Sequence, residues 1–264
     1  MKSSVRNRLA ELLLSAFDDF SKRGAIEWLS VFCEMEVRWD RHVVPFGAFL
    51  QARRAVVSHI DNNTDRMLAH LIGPEKLLRL CRADTDEAIE GSLPGYVEGN
   101  PWLIAPQRDV GAAFPAVCER VRIYADLVAR MGKVDVTSSP QEPLRKAVAE
   151  AGLCFNAGLF FEAHEHLEHH WAAMPTGPAR RFLQGIIQIS VGFHHARAGN
   201  YHGTVNQLSK GLEKTLGSTG TPWGLDCDAF LPRVATVRTA IVKRGRANMH
   251  PLPLSKIPRM RIRD

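Results

Sequence analysis

From Phe182 to Phe193 the chain runs Phe-Leu-Gln-Gly-Ile-Ile-Gln-Ile-Ser-Val-Gly-Phe without a single charge. The run falls short of the roughly 20 apolar residues that a membrane span requires. As a helix it is greasy on nearly every side, so it has to be buried among other helices. That one segment makes a helical bundle the expected fold for its surroundings. Its polar members, Gln184 and Gln188, line up with His195 within roughly 40° on a helical wheel. Gly185 and Gly192 stand one heptad apart beside that line, where missing side chains would let another helix approach closely.

Elsewhere the apolar spacing is also helical. Leu9, Leu12, Leu13 and Phe17 predict a helix over 5–22 that ends at Gly24, and residues 46–60 and 64–82 continue in the same style, with a break at Gly73-Pro74. Val31–Val44 is ambiguous between helix and strand, and the Gly- and Pro-rich 91–108 reads as a long irregular connection and a mobile loop. A further helix covers about 110–131. Ser139-Pro140-Gln141-Glu142 has the form of a capping box, and helices follow at about 141–156, 159–173, 178–198, 201–216 and 228–245. The expected class is all-α. A mainly helical domain over 1–135 precedes a bundle of about five helices over 140–246 and a basic, extended tail over 247–264.

The tail dominates the charge. Residues 243–264 hold seven cations and one acid, which equals the whole net charge of +6. The basic pI of 9.2 therefore reports an appendage, and a nucleic-acid partner is not expected from it. The five cysteines are odd in number, widely spaced and without a Cys-x-x-Cys pair, which fits reduced thiols in a cytoplasmic protein. No secretory signal and no membrane span is visible.

Seven of the eleven histidines lie between His164 and His202. On the helix expected at 159–173, His164, Glu168 and Trp171 share a face with Phe160, Phe161 and Leu167, within roughly 60° of one another. Glu162, His166, His169 and His170 fall on the opposite, solvated side, and Glu165 sits at the edge. A buried carboxylate needs a partner, which a histidine, a glutamine or a metal would supply. The simplest arrangement sets the His164–Glu168 row against the Gln184–Gln188–His195 row across one buried site.

These residues resemble a known family. Phe155-Asn156-x-Gly158-x-Phe160-Phe161-Glu162-Ala163-His164-Glu165-x-Leu167-Glu168-x-x-Trp171 looks like the signature helix of domain of unknown function 309, and Arg181–Gln188 with His195 and Gly199-Asn200 is similar to its second block. The resemblance spans about 142–217. It implies a small all-helical domain and singles out His164, Glu165, Glu168, Trp171, Gln184, Gln188 and His195, but it implies no reaction.

Two functions are expected from this constellation. In the first, the chain is a metal-dependent enzyme acting on a small molecule. His164, Glu168 and His195 hold Zn, Fe or Mn, Glu165 with Gln184 and Gln188 does the chemistry, and Trp171 contacts the cofactor. In the second, the same residues form a non-catalytic module that binds a small ligand or a protein. A homo-oligomer fits either.

Overall fold

The computed structural model describes residues 1–38, 43–56, 64–73, 75–82, 102–131 and 143–263. Its helical content is all-α in class, with a small sheet in the N-terminal half. Contacts divide the chain into Met1–Val134 and Asp135–Asp264.

In the first unit, α1 (Ser3–Ala16) and α2 (Phe20–Arg38) replace the single helix expected before Gly24. The interruption is chemical. Asp19 Oδ1 accepts from the Ser21 backbone N–H at 2.9 Å and from its hydroxyl at 2.6 Å, which caps α2 and ends α1. Those bonds hold the Asp19 carboxyl below its ordinary value. Gly24 then lies inside α2, where a Cβ would collide with Met67. The ambiguous stretch from Val31 is helix as far as Arg38.

β1 (Val44–Pro45) leads into α3 (Phe46–Val56), and α4 (Thr64–Ala69) ends before β2 (Leu78–Arg82) and β3 (Trp102–Pro106). The strands pair antiparallel in the order β1-β3-β2, with Val44 opposite Ile104 and Leu80 opposite Ile104. Two expectations are corrected here. Residues 78–82 are strand and not the end of a helix, and 102–106 is strand and not loop. Residues 91–101, and the capping box at 139–142, lie outside the described residues. α5 (Arg108–Gly111) and α6 (Phe114–Met131) complete the unit.

Its core gathers Trp28, Phe32, Phe49 and Phe114, in tilted and edge-on contacts 5.0–5.9 Å apart. Beside them Cys33 of α2 and Cys118 of α6 form a disulfide, their Cα atoms 5.3 Å apart. This overturns the reading of five reduced thiols. Eighty-five residues separate the pair, a spacing that carries no sequence signal. Cys81, Cys154 and Cys227 are buried outside that disulfide, and burial pushes the Cys227 thiol up to about 11.

The second unit holds α7 (Pro143–Asn156), α8 (Phe160–Ala172), α9 (Pro178–Arg197), α10 (Tyr201–Lys214) and α11 (Cys227–Arg244), each close to its expected bounds. α8 packs on α7 and on α9, and α9 packs most extensively on α10. Phe155 is the hub of the core, with Phe160, Phe193 and Phe230 at 4.9, 5.7 and 5.6 Å around it. Where α9 crosses α10, Gly185 and Gly211 meet: a Cβ on Gly185 would lie 2.9 Å from the Gly211 carbonyl, and one on Gly211 2.8 Å from that of Gly185. The two backbones touch because neither residue has a side chain.

Residues after α11 are not an appendage. Leu252, Ile257, Pro258 and Met260 are buried, and the Leu252 N–H donates to Ala196 O at 2.9 Å. The Asn156 side chain pairs with Met260 as a strand neighbour would, donating to its carbonyl at 2.7 Å and accepting from its N–H at 2.9 Å. Arg145 donates to Arg263 O, and Arg263 donates to Asp226 at 2.6 and 2.9 Å. The segment is a strap across the bundle. Four apolar side chains, Leu252, Ile257, Pro258 and Met260, gave it something to bury, and Lys256, Arg259 and Arg261 face outward.

Candidate functional site

α8 places its histidines through its two neighbours. A helix flanked by α7 and by α9 keeps only a narrow wetted strip, so its two polar rows meet different surroundings.

The first row is His164, Glu165 and Glu168. Among the described residues these form the group of potential metal ligands whose donor atoms lie within 4.8 Å of one another. His164 Nε2 lies 3.0 Å from a Glu168 carboxylate oxygen, and Nδ1 lies 3.3 Å from one of Glu165. Neither contact has the alignment of a hydrogen bond, and Nδ1 is buried with none to any of the described residues. The imidazole is mostly covered, at 19% side-chain exposure, whereas Glu168 is half exposed at 50%. The row therefore opens to solvent on one side. Phe161 stacks loosely between His164 and His194, with centroids at 5.9 and 6.1 Å.

The second row is the one read as solvated. Glu162 is fully buried and His166 nearly so. His166 Nε2 donates to Glu150 of α7 at 2.8 Å, and Lys146 stands 3.8 Å from the other Glu150 oxygen. Sequence reasoning missed this pair. The available signal was Glu150 itself, an acid in the apolar row Ala147, Val148, Ala151, Cys154, Phe155. Of the four residues assigned to a solvated face, His169 is exposed.

The α9 row does not join His164. Gln188 Oε1 accepts from Lys214 Nζ of α10 at 3.0 Å. His195 Nδ1 lies 3.3 Å from the Asn200 side chain, which caps α10 by accepting from the Gly203 N–H, and the imidazole rests against Gly203. Gln184, one turn before Gln188, is half-buried. The reason is the glycines. Gly185 and Gly192 share this side of α9 and admit α10, so the polar row goes with them. The structure thus gathers His164, Glu165 and Glu168, and takes Gln188 and His195 to another seam.

Trp171 extends the His164 face by two turns. The Arg180 guanidinium lies over its ring at 4.2 Å and also donates to the Met174 carbonyl, while Trp171 Nε1 is buried without a hydrogen bond among the described residues.

Residues 148–207 match the family described as Domain of unknown function (DUF309). The match covers under a quarter of the chain and includes all of α8 and α9, most of α7 and half of α10. The description carries no activity. No curated protein matches the chain. Among the described residues, no helix is long and apolar enough to cross a membrane.

Proposed function

We propose that the exposed edge of α8 binds a divalent cation and that the chain is a metal-dependent enzyme acting on a small molecule there. One observation carries the reading: a single imidazole, mostly buried, has a carboxylate oxygen 3.0–3.3 Å from each ring nitrogen, and neither pair is aligned to bond the other. Such spacing suits the edges of a coordination shell with bonds of about 2.0–2.1 Å. His164 Nε2 and Glu168, on the open side, would hold the ion. Glu165, 3.3 Å from Nδ1, stands where a small rotation would let it accept from that nitrogen and supply the carboxylate–histidine support of a metal ligand. The chemistry such a cation would supply is a lowered pKa of bound water and polarisation of a substrate oxygen. Two protein ligands leave several positions for water and substrate. An imidazole and a carboxylate suit Zn, Fe(II) or Mn.

Calorimetric titration of the full chain with each metal, beside its His164→Ala variant, tests this. Binding by the parent of one equivalent, lost in the variant, supports it; indistinguishable isotherms sink it. A second reading, a non-catalytic ligand-binding module, draws on the Trp171–Arg180 wall. Saturable ligand binding that is indifferent to chelator, without turnover, would favour it.

A further inference from the structure

Helix α9 opens Pro178-Ala179-Arg180-Arg181, with no acid in its first turn. That choice works against the helix itself. The positive end of the macrodipole favours acids, and two cations there cost stability unless something anionic offsets them. The two arginines differ in fate. Arg181 reaches Glu213 at 3.7 Å. Arg180 has no carboxylate within ion-pair distance among the described residues. Its guanidinium is instead laid over the Trp171 ring, 4.2 Å from the centroid, and tied to the Met174 carbonyl. An arginine held over an indole ring, tied to a carbonyl and left without a counter-charge keeps its remaining N–H donors for a ligand.

Trp171 places that guanidinium relative to the candidate metal face. It lies three residues after Glu168 and seven after His164 on α8, on one side of the helix. Its own Nε1–H, buried and without a hydrogen-bond partner among the described residues, belongs to the same wall.

The geometry points to an anion-binding arm: Arg180, stacked on Trp171, holds a carboxylate or phosphate group of the small molecule whose reacting end meets His164, Glu165 and Glu168. The inference rests on the metal-site reading and names its substrate class, a small anion. A planar guanidinium reads either group by paired N–H donors, so carboxylate and phosphate share the chemistry.

The test follows the emission of Trp171, isolated by subtracting that of a Trp171→Phe protein, in the full chain loaded with Mn(II). Inorganic phosphate and acetate are titrated separately and show which anion is preferred. Saturable change with at least one of them is expected, weakened about tenfold or more in Arg180→Met. Arg180→Lys, which keeps charge but loses the fork, falls between. Mn(II) stoichiometry and melting temperature stay as in the parent, so a misfolded variant is recognised. If Arg180→Met binds both anions as the parent does, or if the parent binds neither, the arm is overturned while the metal reading stands. If anion binding depends on Arg180 but no Mn(II) is retained, the arm holds and the metal reading falls.

Discussion

Two histidines two residues apart on α8 each sit beside glutamate, and the two settings have little else in common. His166 and Glu150 face each other between α7 and α8 with both side chains at 11% exposure, bonded at 2.8 Å. His164 lies between Glu165 and Glu168 with carboxylates 40% and 50% exposed, close to both and bonded to neither. In the first setting every polar atom that matters is used up inside the protein, which is what a core requires of a buried charge. In the second, donors converge while their mutual bonds are left unmade. The same residue types thus serve packing on one edge of a helix and, in the function proposed above, ligand binding on the other.

If that contrast is right, the two histidines respond oppositely to truncation. The largest effect on stability is expected at the enclosed pair. His166→Ala leaves the Glu150 carboxylate buried with only Lys146 nearby, at a cost of about 3 kcal/mol, read from chemical denaturation. The double variant His166→Leu/Glu150→Leu should recover most of that loss. A single variant as stable as the parent would break the comparison.

His164→Ala should cost under about 1 kcal/mol, because one edge of the site is already wet, while removing metal binding. Within the open row, Glu168→Gln removes the proposed ligand and should weaken the metal by about a hundredfold or more, and Glu165→Gln, which removes the proposed support of the imidazole, by about 10–100-fold. Equal losses would make both carboxylates ligands.

The smallest effect belongs to a third pair that calibrates the others, Arg263 with Asp226 in the strap. The Arg263 hydrogen bonds hold the Asp226 carboxyl below its ordinary value. A carboxyl lowered in the folded state stabilises above the unfolded value of about 3.8, and that contribution is lost as pH falls through the folded one. With Arg263 64% exposed, the contribution is small. Arg263→Gln should lower the melting temperature slightly at neutral pH and flatten its fall below pH 4. An unchanged acid limb would show that the pair is idle.

The second unit was legible because its helices are long, uninterrupted and bounded by Pro178, by Gly199-Asn200 and by the loop at Gly158. His164 and Glu168 were legible for the same reason, since one turn of helix puts them together whatever surrounds them. The neighbours of each face were not. A helix with two covered sides gives no periodic sign of which partner covers which, so Glu162 and His166 read as wet and Gln188 and His195 were turned toward the wrong helix. The short strands at 78–82 and 102–106 lacked the length to show a period of two, and pairing across 20 or more residues is invisible to local spacing.

The glycine crossing between α9 and α10 has a consequence for motion. Backbones that touch at Gly185 and Gly211 have no rotamers to give, so these two helices must travel as one piece. α8 meets α9 through whole side chains such as Phe160 and Phe193, which can slide by small rotations. Any shape change triggered beside His164 is therefore a roll of α8 over a stiff hairpin, and α10 registers it only as a passenger.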